Sequence, residues 1–172
     1  MVRRGAFVSL LLLCALAGAA RAGGPSRPLP PLVFEDQEGR TLSLATLRGQ
    51  AVVLVYGTRS AVEDSIAWGR RLDAELRGST GGRAFEIVAV AQMGRIPEKF
   101  QGVVRAALRQ RTPASFSLWL DWEDRMSTLF GRHRTLPTVV VADQDGQVRL
   151  VVVGRADGAP WDTVTERLRR LR

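Results

Sequence analysis

Residues Ala51-Val52-Val53-Leu54-Val55-Tyr56 form an unbroken apolar run, rich in valine and bounded by polar residues. A run of this length without alternation predicts a strand buried on both faces. Such a strand belongs in the middle of a sheet with helices above and below it, and the rest of the chain has to be arranged around that centre. The flanking patterns fit. Leu32-Val33-Phe34 and Thr41-Leu42-Ser43-Leu44 read as a short hairpin around Gly39, and Phe85 to Ala91 as a second buried strand. Phe116, Leu118 and Leu120 alternate as a third, short strand, and Glu123 to Phe130 reads as a two-turn helix stopped at Gly131. Val139–Val141 and Val148–Val153 flank the turn Asp143-Gln144-Asp145-Gly146, a β-hairpin signature.

Helical spacing fills the gaps. Ser60 and Glu63 match an S-x-x-E capping box, with Val62, Ile66, Leu72 and Leu76 on one face and Gly78 as the stop. Ile96, Phe100, Val103, Val104, Ala107 and Leu108 mark the inner face of a second helix, from Ile96 to Arg111. Pro160 opens a final helix with Trp161, Val164, Leu168 and Leu171 inward and Arg167, Arg169, Arg170 and Arg172 outward. Strands joined by crossover helices require parallel pairing, and the closing hairpin adds antiparallel strands. The expected architecture is α/β, a central mixed β-sheet flanked by helices on both faces, in one domain spanning residues 32–172.

The first 31 residues read differently. Arg3-Arg4, the apolar stretch Ala6 to Ala19 and the small residues of Ala20-Arg21-Ala22 make residues 1–22 a secretory signal, with cleavage after Ala22. Lipidation of Cys14 is the alternative, disfavoured by Leu13 where a small residue is wanted. Residues 23–31, GGPSRPLPP, form an extended leader. The expected location is periplasmic or secreted.

The chain carries a formal charge of +8, and every basic residue except Lys99 is arginine. Guanidinium forks suit phosphate, but these occur singly or in pairs among Asp and Glu, without the dense run or stacking aromatics of a nucleic-acid groove. Nucleic acid is therefore not an expected partner, while weak contact of a basic face with an anionic membrane surface remains compatible with the charge. One histidine and one cysteine give no basis for a zinc or iron site, and no cofactor is expected. A monomer is expected.

Two segments carry a resemblance. L-V-F-E-D-Q-E-G-R-T-L-S-L-A-T-L-R-G-Q-A-V-V-L-V resembles the opening of exported thioredoxin-like proteins of the TlpA, ResA and thiol-specific-antioxidant type. Thr135-Leu136-Pro137-Thr138, followed by a strand and Asp143-x-x-Gly146, resembles their cis-proline loop and hairpin. The run Gly57 to Glu63 and Arg95-Ile96-Pro97 are also similar to YtfJ-type periplasmic proteins, which likewise lack the cysteine pair. The resemblance implies a thioredoxin-like fold over residues 32–172 and a cis bond before Pro137. It also places the family's C-x-x-C on Val62 and Ser65. Neither residue forms a thiolate or a mixed disulfide, and Cys14, the one cysteine, falls in the signal. No catalytic residue is expected.

What remains at that place is a candidate binding groove of Thr58, Arg59, Ser60, Val62, Ser65, Leu136 and Pro137. Read for function, these residues hold a small anion at a helix start or an extended peptide along the Pro137 edge. Read for structure, Ser60 and Glu63 are consumed in capping. His133 is either an acid or base beside the Pro137 loop or a surface side chain flanked by Arg132 and Arg134. Three functions compete: a non-catalytic module that binds a periplasmic protein or peptide, a degenerate oxidoreductase or peroxiredoxin relative with altered chemistry, and a basic envelope-surface protein.

Overall fold

The computed structural model describes residues 27–77, 85–112 and 116–171. The signal, most of the leader, Cys14 and the Gly78 stop lie outside them. One eight-stranded sheet organises the rest. Its strands are β1 (Arg27–Pro28), β2 (Val33–Asp36), β3 (Thr41–Ser43), β4 (Ala51–Gly57), β5 (Phe85–Gln92), β6 (Leu118–Asp121), β7 (Thr138–Ala142) and β8 (Gln147–Val153). Four helices accompany them: α1 (Val62–Arg77), α2 (Glu98–Arg111), α3 (Arg125–Phe130) and α4 (Gly158–Arg170). The strand order is β1-β8-β7-β4-β5-β6-β2-β3, with β4, β5 and β6 parallel and every other pair antiparallel.

The apolar run does what its composition requires: every residue of β4 is buried, with β5 on one side and β7 on the other. Alternate residues of β4 enter two separate cores. Val53 and Val55 face Trp68 and Leu72 of α1 and Val164 and Leu168 of α4. Val52, Leu54 and Tyr56 face Phe34, Leu44, Met126 and Phe130. Helices thus cover both faces of the mixed sheet.

The two hairpins are closed by aspartates, Asp36 buried and Asp143 partly buried. In the β2–β3 turn, Asp36 accepts from the backbone N–H groups of Glu38 and Arg40 and from the Arg40 guanidinium at 2.6 Å. Burial alone pushes the Asp36 carboxyl up, but those donors together outweigh it and hold it below the usual carboxylate range. Asp143 plays the same part between β7 and β8. There the Gln147 N–H and the Arg149 guanidinium outweigh burial, and Gly146 supplies the positive φ of 72°. The end of the leader is built into the sheet. Arg27 and Pro28 pair with Val148 and Gln147 of β8, and the Arg27 guanidinium donates to the Leu129 carbonyl at 2.7 Å.

Three expectations about the helices need correction. First, no capping box forms. The chain enters α1 through a 3-10 turn, Arg59–Ala61, capped at Thr58 without a side-chain hydrogen bond, so Ser60 lies inside the turn and not at its head. Second, Val62 and Ile66 do not face the core. They are 44% and 39% exposed, and the inward stripe of this segment is Ala61, Trp68 and Leu72. Third, α2 has no buried residue, with Phe100 50% and Val103 69% exposed. For the final helix, Val164 and Leu168 are buried as its spacing requires, and Trp161 packs tilted on Trp68 at 5.6 Å.

Candidate functional site

The place where the cysteine pair would sit is assembled around Gly57, the last residue of β4. A Cβ built there would lie 2.9 Å from the Ala61 Cβ, 3.2 Å from the Ser65 Oγ and 3.6 Å from the Pro137 Cα. Only a residue without a side chain lets the start of α1 and the Pro137 loop close together over the strand end. The two loops are also tied directly, because the Thr58 hydroxyl donates to the Arg134 carbonyl at 2.8 Å.

The structure therefore brings Thr58, Ser65 and Pro137 to one place, but most of their polar groups are already engaged. The Ser65 hydroxyl donates to the Ala61 carbonyl at 2.8 Å, back along its own helix. Pro137 is buried and its carbonyl accepts from the Gly154 N–H at 3.1 Å. The Leu136–Pro137 peptide is trans, as are all the described peptide bonds, which corrects the expected cis bond. A prolyl amide favours trans by only about 0.5–1 kcal/mol, so the neighbours decide. Here the stretch before it is a tight turn held by His133, whose Nδ1 accepts from the Leu136 N–H at 2.9 Å and more weakly from the Thr135 N–H at 3.4 Å. His133 is thus a partly buried turn-former with the nitrogen nearest the loop occupied. Arg59 and Ser60 are exposed, and Asp64, one turn on, pairs with Arg155 at 3.2 Å. Val62 presents an apolar side chain to solvent.

Sequence reading missed a second feature on the same edge of the sheet, at the ends of β5 and β6. A groove of about 930 Å³ runs between the start of α2, helix α3 and the segment that leads into β2. Its apolar lining includes Pro30, Leu32, Ile96, Trp122 and Leu129, with Arg95, Arg125, Glu98 and Glu123 among the polar residues. Its loops are unusual. Arg95 and Asp124, the two non-glycine residues with positive φ among the described residues, stand at 58° and 55°, and the Gly94 N–H donates to Asp124 Oδ1 at 3.2 Å. Glycine-arginine at 94–95 and the D-W-E-D run at 121–124 are the signals that mark these turns in the sequence.

Among the described residues there is no group of three or more His, Cys, Asp or Glu that could hold a metal ion. No family model matches the chain, and no curated protein sequence matches it significantly. Solved structures do. A candidate thiol:disulfide interchange protein DsbE from Chlorobium tepidum superposes with a TM-score of 0.61 at 20% identity, over 86% of this chain and 97% of that one. The exposed lipoprotein thioredoxin Etrx1 of Streptococcus pneumoniae gives 0.59 at 16% identity, over 81% and 98%. A candidate thioredoxin from Neisseria meningitidis gives 0.54 at 20% identity, over 83% and 89%. At these identities the likeness concerns backbone architecture alone. The chain has a thioredoxin-like fold.

Proposed function

We propose that this protein is an exported, non-catalytic binding module that docks a periplasmic protein or peptide on the surface around Val62. The observation that carries the reading is the exchange at that position. Where the family resemblance assigns a nucleophile this chain has an exposed valine, and Ser65 turns its hydroxyl into the helix. Disulfide exchange requires a thiolate, and the chain has one cysteine, at position 14. The N-terminal pattern of residues 1–22 supports export.

The mode of binding follows from the backbone. Strand addition needs free N–H and C=O groups. At this loop the Leu136 N–H is held by His133, Pro137 has none, and the Pro137 carbonyl is held by Gly154. Docking through side chains on Val62, Ile66 and Arg59 is the mode left to the site.

A photo-reactive amino acid at position 62 of the full chain, expressed in its native envelope, tests this against the same label at Val103 on α2. Discrete adducts from position 62 that are absent from position 103, and that fall at least tenfold with Ile66→Asp, are expected. Identical patterns from both positions, or none from position 62, overturn the reading.

A further inference from the structure

Among the described residues, three buried polar side-chain atoms have no hydrogen-bond partner: Gln92 Nε2, Trp122 Nε1 and Arg125 Nε. All three are N–H donors, and all three lie together. Gln92, 8% exposed, ends β5 and is paired in register with Asp121 at the end of β6. Trp122 follows Asp121, and Arg125 opens α3. Trp122 and Arg125 line the groove described above. A buried donor without an acceptor costs about 1–3 kcal/mol, and indole N–H groups usually find a partner when buried. Two of the three donors belong to residues of the groove wall, Trp122 and Arg125, and neither atom has an acceptor within hydrogen-bond geometry.

The neighbours narrow the acceptor's chemistry. Arg125 is already anchored: its Nη2 donates to the Val33 carbonyl at 2.9 Å, and Glu123 Oε2 stands 3.4 Å from its Nε without hydrogen-bond geometry. Behind the groove, Arg105 pairs with Glu35 and lies over the Trp122 ring at 5.9 Å. The charged lining is balanced, Arg95 and Arg125 against Glu98 and Glu123. A free carboxylate would gain from the first pair and be repelled by the second, so the groove does not select an anion. Gln101 and Thr128 add uncharged polar groups, and the remaining walls, Pro30, Leu32, Ile96 and Leu129, are apolar. Uncharged carbonyl acceptors carried between apolar side chains are the chemistry of an extended apolar peptide, and a groove of this size is ample for one.

We infer that the α2–α3 groove is a second binding site, separate from the Val62 surface, for an extended apolar peptide segment whose backbone carbonyls accept from Trp122 and Arg125. Because the two nitrogens are covered by their neighbours, the acceptor arrives with a turn of the Trp122 side chain. That makes the indole N–H the reporter.

The test is ¹H–¹⁵N NMR of the full chain, with the Trp122 signal assigned by its loss in Trp122→Phe. The Trp68 indole, which donates to the Gly154 carbonyl at 2.8 Å, serves as an internal measure of folding. The probes are a pool of end-capped pentapeptides of Ala, Val, Leu, Phe and Pro, and decanoate as an anion of similar apolarity. The peptide pool should shift the Trp122 indole signal saturably while Trp68 stays still. Ile96→Asp should weaken that response at least tenfold with the Trp68 signal unchanged, and decanoate should leave Trp122 in place. No saturable shift with peptide overturns the proposal, as does an equal or larger response to decanoate. A response that survives Ile96→Asp places the binding elsewhere and also overturns it.

Discussion

Helices α1 and α2 have comparable lengths and similarly segregated apolar residues, yet one is part of the core and the other is not. Trp68 and Leu72 of α1 are fully buried, joined by Ala61 from the turn that precedes it. The helix lies across β4 and β5 and is locked by Trp68, whose ring packs on Trp161 and whose N–H is held by Gly154. No residue of α2 is buried, and Phe100 and Val103 face solvent. Amphipathic spacing therefore states that a helix has an apolar face, and says nothing about whether the fold provides a surface to cover it. Here α4 joins α1 in closing one face of the sheet, and α3 with the β2–β3 hairpin closes the other, with no residue of α2 in either core.

The sharpest way to break this contrast is at Trp68. Replacing a fully buried indole with alanine removes its transfer free energy and leaves a cavity, a loss of about 3–5 kcal/mol for a Trp→Ala change in a core. Trp68→Ala should therefore lower the midpoint of chemical denaturation with little change in slope. A shift no larger than that of an exposed α2 substitution would show that α1 is not the anchored helix.

The second measurement asks whether the sheet face opposite α1 and α4 is dry. Tyr56 lies on that face, its hydroxyl donating to the Gly131 carbonyl at 2.6 Å. Burial pushes its phenol up to about 12, more than the neighbouring Thr138 hydroxyl and Arg27 can offset. In the unfolded chain the phenol ionises near its ordinary value of 10. Below that pH both states hold the proton. As pH rises from 10 to 12 the unfolded chain releases it and the folded one does not, so stability falls across this window by about 3 kcal/mol at most. Urea denaturation of the parent between pH 9 and 12 should show the loss, and Tyr56→Phe should remove the part due to this phenol. An unchanged alkaline slope in Tyr56→Phe would mean that water reaches the ring and that this face is not dry.

Much of this arrangement was legible in the sequence, for reasons that also explain the failures. The run 51–56 and the two aspartate turns carry their own physics: period, β-branching and local hydrogen bonds. The S-x-x-E pattern at 60–63 is just as local, but a 3-10 turn starting one residue earlier pre-empts it, since Gly57 pulls Ala61 tightly onto the strand end. Val62 and Ile66 share a face by their spacing, and spacing alone cannot say that Trp68 and Leu72 win the inward position. Val62, Ser65 and Pro137 were singled out through a family pattern; Ser65 and Pro137 approach Gly57 at the end of β4, while Val62 is turned to solvent. The α2–α3 groove was invisible because Pro30, Ile96 and the Trp122–Leu129 stretch are three separate segments that only the folded sheet brings together.

The smallest expected effect tests the other half of the contrast. Phe100 and Val103 would each be core residues if the helical spacing of 96–108 decided burial, and their truncation would then cost several kcal/mol. At 50% and 69% exposure, removal of either side chain takes away little buried area, and surface substitutions of this kind stay within about 0.5 kcal/mol. Phe100→Ala and Val103→Ala should therefore leave the denaturation midpoint nearly where it was, and the double variant should be additive because no cavity couples the two sites. Phe100 also has the Lys99 ammonium over its ring at 5.1 Å, an exposed contact too weak to change that expectation. If either variant instead lost 2 kcal/mol or more, α2 would be packed in solution against something beyond this sheet. The concentration dependence of the loss would then distinguish a second copy of the chain from a rearranged helix, since only the former is sensitive to dilution.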